Sequence, residues 1–217
     1  NDFGGAFFQA GVAELTMACC CIGMALHGGV IAACGTFFVF SDYMKPAVRM
    51  AALMELPVKF IWTHDAFRVG EDGPTHEPVE QEAQIRLMEK LRNHHGEPSM
   101  LVLRPADARE TTEAWKLAMQ NVKTPTALIL SRQNIIDLPE GNDYSLVEKG
   151  GYIVAGSDEN PDVILVATGS EVSTLAQGAE LLRRDGRKVR IVSVPSEGLF
   201  RSQSPEYQES VLPRNVK

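Results

Sequence analysis

A polar loop at 63–78, read as THDAFRVGEDGPTHEP, carries the residue types best suited to chemistry in this sequence. His64 and His76 are imidazoles that can exchange a proton near neutral pH, and Asp72 adds a carboxylate between them. The loop follows an apolar run at 58–62 that reads as a buried parallel strand, and open α/β sheets bind ligands at the carboxyl ends of such strands. A solvated connection is the alternative, but the DGPTH run confines the backbone around these groups. We therefore expect a ligand site in this loop.

Arg132 ends a later apolar run at 126–130, which also predicts a parallel strand. If the strand order brings the two strand ends together, its guanidinium could hold a phosphate or carboxylate through paired hydrogen bonds. A lone arginine at a strand end is more often part of a surface ion pair. The sequence leaves both interpretations open.

Glu14 opens a helix-like segment at 12–27 that has no other charge before His27. Burying a carboxylate is costly unless it is partnered or protonated, so a glutamate in such a segment usually has a specific partner. The alternative is a first-turn glutamate favoured by the helix dipole, and spacing alone favours that alternative.

Three aromatic residues, Phe37, Phe40 and Tyr43, follow a predicted strand on the turn that leads into a helix. Phenylalanine at such positions is usually part of the core. The same rings could instead form a stacking wall for a flat ligand.

Composition and missing motifs exclude several classes of protein. The formal charge of −7 argues against a nucleic-acid surface, and no apolar run reaches the length of a membrane span, so a cytoplasmic location is the default. The glycine-rich nucleotide-binding motifs and the G-x-S-x-G nucleophile motif are absent. No metal site is expected either, because the cysteines at 19–21 and 34 lack zinc spacing and read as buried free thiols. The pair His94-His95 reads as solvent-exposed.

Strand and helix patterns alternate along the chain and predict an α/β fold built from parallel βαβ units. Helices are predicted at 12–27, 41–56, 80–93, 107–121 and 170–184, and strands at 30–34, 58–62, 99–103, 126–130, 152–155, 163–167 and 189–194. The first helix should be buried, since it is apolar on nearly all sides. Gly35-Thr36 should be the turn that follows the strand at 30–34. This organisation predicts a complete domain at 1–137, a polar linker at 138–150 and part of a second α/β domain at 151–217.

Longer runs of this sequence resemble transketolases. They are, in order, GVAE, GMALHGG, GTFFVFSDYMKPAVRMAAL, THDAFRVGEDGPTHEPVEQ, LRPADA and PTALILSRQN, followed by VILVATGSEV and VSVPSEGLF, which resemble the start of the family's C-terminal domain. The resemblance covers nearly the whole chain and implies that 1–137 binds the aminopyrimidine ring of thiamine diphosphate. It also implies a transferase of carbohydrate metabolism, in the pentose phosphate pathway. Such an enzyme moves a two-carbon ketol unit between sugar phosphates while the cofactor acts as the electron sink.

The resemblance gives the cofactor-facing residues their roles. Glu14 matches the catalytic glutamate that hydrogen-bonds the aminopyrimidine ring, which reverses the helix-dipole interpretation. Phe37 and Phe40 match the aromatic wall around that ring, with Tyr43 beside them.

The resemblance also assigns the substrate-facing residues. His64 and Arg132 match contacts to the substrate phosphate. Asp72 matches the acid that reads a substrate hydroxyl, and His76 matches a catalytic histidine near the donor's C1 hydroxyl.

Nothing in this sequence matches the transketolase domain that binds the diphosphate and a divalent metal, Mg or Ca, through a GDG-type motif. The resemblance therefore implies a fragment that is inactive without that domain, and in the family the site lies between two subunits. A homodimer or an association with a separate diphosphate-binding domain is expected. Two alternatives stay open: the C-terminal subunit of a split transketolase, and a catalytically silent interaction or regulatory module of the same fold.

Overall fold

A computed structural model describes residues 6–66, 68–156 and 160–216. Residues 1–5, 67, 157–159 and 217, which belong to the predicted domains, lie outside the described residues. The helices are α1 (Glu14–His27), α2 (Ser41–Leu53), α3 (Gln81–Lys90), α4 (Ala108–Gln120), α5 (Glu171–Arg184), α6 (Glu197–Arg201) and α7 (Pro205–Val211). The strands are β1 (Ala33–Phe37), β2 (Lys59–Thr63), β3 (Leu101–Leu103), β4 (Thr126–Ile129), β5 (Tyr152–Ala155), β6 (Val163–Ala167) and β7 (Val189–Ser193).

The first sheet has four parallel strands in the order β1-β2-β4-β3. Helices connect successive strands, as parallel pairing requires, so the α/β class expected from the alternating patterns is confirmed. The core on one face of this sheet contains the stacked aromatic rings of Phe38, Phe60 and Trp62. Ala114 and Ala118 of α4 pack with Leu103 and Leu128 in a second cluster.

The first strand lies later in the sequence than predicted. The prediction of a strand at 30–34 with a turn at Gly35-Thr36 is wrong, because both residues lie within β1 and pair with β2. A Cβ at Gly35 would lie 3.1 Å from the carbonyl oxygen of Ile61, so the glycine permits a close approach of neighbouring strands. This shift makes Phe37 the last residue of the strand.

The second sheet has the order β5-β7-β6, and its strands are not all parallel. β6 and β7 are parallel and are joined through α5, whereas β5 pairs with β7 in the antiparallel direction. The prediction of parallel units throughout is therefore wrong for β5. This strand is preceded by a short 3-10 helix, Tyr144–Lys149, in place of the long helical crossover that a parallel neighbour would need.

Helix α1 is less buried than its apolar sequence predicted. Ala18 and Cys21 are its only buried residues in the described structure, and they face α2 and the first sheet. The prediction of four buried cysteines is wrong for Cys19 and Cys20, which are exposed because they lie off this packed stripe. The helix thus presents an apolar surface to solvent in the single chain.

The polar segment predicted as a linker is held firmly against α4. Asp107 caps α4 by accepting a hydrogen bond from the Glu110 amide, and its other carboxylate oxygen accepts from the Leu138 amide and the Tyr144 hydroxyl.

Two short helices follow β7; neither was predicted. Ser196 caps α6, and Ser204 caps α7 with Pro205 in its first turn. None of the helices described is long and apolar enough to cross a membrane.

Candidate active site at the carboxyl edge of the first sheet

Strands β1, β2 and β4 end at the same edge of the first sheet, because neighbouring parallel strands place their carboxyl ends together. Phe37 ends β1, His64 follows β2 directly, and Arg132 lies just beyond β4. This edge is where an open parallel sheet binds ligands. The strand order therefore supplies the convergence that the sequence alone left undecided.

His64 lies face to face with Phe37. Their ring centroids are 3.6 Å apart with an interplanar angle of 23°, and His64 Nδ1 lies 3.0 Å from the hydroxyl of Thr63. His64 has a backbone φ of 62°, a left-handed conformation that residues with a Cβ adopt only when their surroundings hold them there. Stacking and backbone together fix the direction of the imidazole.

His76 and Phe40 form the second ring pair of the cluster. Their centroids lie 5.2 Å apart in an edge-on arrangement, and Phe40 stacks on Tyr43 at 5.9 Å. His76 Nδ1 lies 2.8 Å from the hydroxyl of Thr75, which orients the ring. Phe37 connects both pairs, with its centroid 6.1 Å from Phe40 and 6.4 Å from His76.

Charged side chains surround His64. Burial has the largest effect on the pKa of His64 and lowers it. The negative charge of Asp72 raises this pKa by attracting the protonated form, and the positive charge of Arg132 lowers it by repulsion. The guanidinium of Arg132 lies against Gly70, where an added Cβ would be 3.2 Å from Cζ. Arg132 also pairs with Glu71 at 3.7 Å, so the surface ion pair considered from the sequence exists as well. That pair is exposed and contributes little.

Glu14 is half-buried in the first turn of α1, an element that carries none of the residues of this cluster. Within the described part of the chain, no hydrogen bond or ion pair engages its carboxylate. Helix α1 packs on α2, the helix that carries Tyr43, and on β1, which leads to Phe37. The structure thus joins seven of the eight candidate residues and leaves Glu14 on a neighbouring element.

The paired histidines lie away from this edge and are exposed, in agreement with the sequence interpretation. His95 pairs with Glu55 at 3.0 Å, on an exposed surface. Among the described residues there is no group of three side chains able to hold a metal ion.

Sequence reasoning missed Asp65 and Arg104, two buried residues directly behind the histidine loop. Arg104 Nε donates a hydrogen bond to Asp65 Oδ2 at 2.9 Å. The available signal was an arginine placed directly after an apolar strand, inside the LRPADA run. That position alone does not distinguish a buried cation from a surface one, and a buried cation needs acidic partners.

The cluster can stack against a flat ring, hydrogen-bond a neutral hydroxyl through two imidazoles, and attract an anion through Arg132. These capacities suit an α/β domain that binds a ring-shaped ligand together with a polar or anionic one.

Comparison with known proteins identifies the family. Residues 1–136 match the family model for the transketolase pyrimidine binding domain, and residues 150–217 match the model for the transketolase-like C-terminal domain. The chain therefore belongs to the transketolase family, as the resemblance in the sequence implied.

Individual relatives agree with this assignment. The transketolase of Bacillus subtilis is 48% identical over 219 residues, covering 100% of this chain and 32% of that protein. A crystal structure of a transketolase from Pichia stipitis in complex with sedoheptulose 7-phosphate superimposes with a TM-score of 0.88 and 40% identity, covering 99% of this chain and 30% of that one. A structure described as a split gene transketolase, inactive beta4 tetramer, gives a TM-score of 0.68 at 26% identity, covering 89% of this chain and 58% of that one. The chain thus spans about a third of the length of the transketolases of Bacillus subtilis and Halalkalibacterium halodurans.

Proposed function

We propose that this chain forms the pyrimidine-binding part and the beginning of the C-terminal part of a transketolase, with domains at 1–137 and 151–217 joined by 138–150. The complete enzyme transfers a two-carbon ketol unit from a ketose phosphate to an aldose phosphate. The observation that carries the proposal is the convergence of the aromatic rings, two histidines, Asp72 and Arg132 at one sheet edge of a transketolase-family fold.

Transketolases use thiamine diphosphate, and the aromatic cluster fits its pyrimidine ring. Phe37 and Phe40 are half-buried, and Tyr43 is 65% exposed, so the rings offer open faces to a flat ligand. Glu14, half-buried and without a partner in the described structure, is suited to hydrogen-bonding a ring nitrogen. When bound, the cofactor supplies the electron sink for cleavage of the donor's carbon–carbon bond.

The remaining residues are assigned to the substrate. Arg132 supplies the positive charge for the substrate phosphate, and His64 supplies a directed hydrogen bond from an imidazole whose pKa is lowered by burial. Asp72 accepts a hydrogen bond from a substrate hydroxyl. His76 lies against the wall formed by Phe40, and we assign it to proton transfer at the donor's C1 hydroxyl.

Association is also part of the proposal. Helix α1 exposes the apolar residues Leu15, Met24 and Leu26, and the proposal assigns this helix to contact with a second copy of the chain or with a diphosphate-binding domain. That domain is proposed to hold the diphosphate and a Mg or Ca ion. The relative described as a split gene transketolase supports the alternative of a split subunit. The assembled polar cluster argues against a silent module, which would not need it. The cytoplasmic location stays a prediction.

Ketol transfer from xylulose 5-phosphate to ribose 5-phosphate tests the proposal. The isolated 217-residue chain should give no turnover, and addition of a transketolase diphosphate-binding domain with thiamine diphosphate and Mg should restore it. An Arg132→Met chain, mixed with the same domain, serves as the control and should show reduced affinity for both sugar phosphates. Robust turnover by the isolated chain would show that the missing-domain proposal is wrong, and no turnover in the reconstituted mixture would favour a silent module.

A further inference from the structure

Arg104 is almost fully buried where the two sheets meet, and the proposed ketol transfer makes no use of it. On one side its Nε donates to Asp65, which follows β2 of the first sheet, at 2.9 Å. On the other side its Nη2 donates to both carboxylate oxygens of Glu171 at 2.9 and 2.8 Å. Glu171 is the first residue of α5, so one guanidinium connects the two halves of the chain.

The backbone of the second half is also built around Arg104. Its amide donates to the carbonyl oxygen of Pro195 at 2.8 Å, and its own carbonyl accepts from the amide of Gly169 at 3.1 Å. Gly169 has a φ of 61°, and a Cβ there would lie 2.8 Å from the guanidinium Nε. Glycine at this position leaves the space that the guanidinium occupies.

Asp65, the other partner of Arg104, is the residue next to His64. Its side chain is 1% exposed, so its position is set by the groups packed around it. His64 occupies a left-handed backbone conformation, which must be imposed by its neighbours. A fixed Asp65 anchors the chain immediately after that conformation and thereby sets the direction of the imidazole.

We infer that Glu171 is a positioning residue for His64, acting through Arg104 and Asp65, so that the second half of the chain sets the geometry of the substrate-phosphate contact. This inference rests on the proposed function, which assigns that contact to His64. Arg104 also lies 3.6 Å from Glu82, so three carboxylates share one guanidinium. Removal of Glu171 takes away the two hydrogen bonds that fix the Arg104 guanidinium to α5, so Arg104 can shift and Asp65, the residue beside His64, loses a fixed partner.

Donor kinetics of the full enzyme that contains this chain test the inference. We compare a ketose phosphate donor with the same ketose lacking its phosphate. Glu171→Ala should raise KM for the phosphorylated donor about 10-fold with little change in kcat, because a ground-state contact has been lost. KM for the unphosphorylated donor should stay unchanged. Glu180→Ala is the matched control, since Glu180 lies on the same helix in an exposed pair with Arg183 at 2.6 Å.

Equal changes for both donors, or none, would overturn the inference while leaving the proposed function intact. Absence of ketol transfer by the unmodified enzyme would overturn the proposed function instead. Hydrogen exchange of the enzyme without substrate gives a second readout: Glu171→Ala should accelerate exchange in the segment 63–66 and leave β1 and β4 unchanged. Faster exchange throughout both sheets, or none at 63–66, contradicts a positioning role.

A second variant reaches the same guanidinium by another route. Gly169→Ala places a methyl group against Arg104 and should reproduce the donor-specific rise in KM. Gly178→Ala is its control, because Gly178 lies on α5 with open space around the added Cβ. Equal behaviour of the two alanine variants would argue against Arg104 as the connection.

Discussion

Glu14 differs from the other candidate residues because its side chain has no protein partner for a hydrogen bond or ion pair in the described structure. Its proposed partner is an atom of the cofactor. Its carboxylate is half-buried at the start of an apolar helix and has no partner in the described structure. A carboxylate so placed adds little to the stability of the chain alone. Its value depends on what binds beside it.

Glu14→Gln in the complete enzyme should therefore lower turnover by about 10²–10⁴-fold, the usual effect of losing a positioned acid–base group. The free energy of unfolding should change by less than about 0.5 kcal/mol, because no protein contact is lost. Steady-state kinetics and urea unfolding measure the two effects. Glu113→Gln, which removes an exposed pair with Lys116 on α4, is the control and should alter neither. Near-normal turnover of Glu14→Gln would refute the assigned role.

Residue types alone indicated most of the cluster, and the reason is chemical. His64, Asp72, His76 and Arg132 stand out because such groups follow apolar strands, where parallel sheets bind ligands. Arg104 did not stand out, since an arginine after a strand looks the same whether it faces solvent or is buried against carboxylates. Its partners are 39 and 67 residues away in sequence, so only the folded chain reveals them.

At the scale of elements, β2 carries a buried amine at its start. Lys59 is 2% exposed, its Nζ donates to the carbonyl oxygen of Asn121 at 2.5 Å, and burial lowers its pKa from 10.5 to about 8. The unfolded chain therefore binds this proton more tightly than the folded chain does. Between pH 8 and 10.5 the unfolded state carries more protons, so the contribution of Lys59 to stability improves as the pH rises.

The free energy of unfolding of the 217-residue chain should thus increase from pH 8 to pH 10 relative to that of Lys59→Met, which has no proton to lose. Urea unfolding of both proteins at the two pH values gives the difference directly, and other groups that titrate in this range cancel. Lys123 is an exposed lysine paired with Glu97, so the stability of the Lys123→Met variant should change with pH as that of the unmodified chain does. A wild-type chain that loses stability relative to Lys59→Met over this range would contradict the sign.

The elements themselves were largely predictable, and the errors at Gly35 and at β5 have specific causes. Hydrophobic runs and helical periodicity located the strands and helices of the first sheet to within a few residues. Glycine commonly marks turns, so Gly35 predicts one, whereas here it allows two strand backbones to approach. The direction of β5 depends on the strand with which it pairs. The local sequence YIVA does not determine that pairing, so it does not predict the direction.

At the scale of the whole molecule, buried polar contacts join the two sheets. The hydroxyl of Tyr152 in β5 donates to Glu110 of α4 at 2.8 Å, and both side chains are buried. Burial raises the pKa of the Glu110 carboxyl, whose other oxygen accepts from the Ala106 amide at 2.7 Å. A buried hydrogen-bonded pair of this kind makes each half of the chain depend on the other.

Both tryptophans, Trp62 and Trp115, lie in the first half, so their fluorescence reports on that half alone. Tyr152→Phe changes only the second half but leaves the Glu110 oxygen without its donor, which costs about 1–3 kcal/mol. If the two sheets unfold as one unit, the tryptophan-detected urea midpoint should shift by the same amount as the midpoint from circular dichroism. Tyr207→Phe is the control: its hydroxyl donates to the carbonyl of Gly151 at 3.0 Å within the second half, at a partly exposed position, so its effect should be smaller. A Tyr152→Phe chain whose tryptophan transition stays in place would show that the halves unfold independently, despite the hydrogen bonds between them.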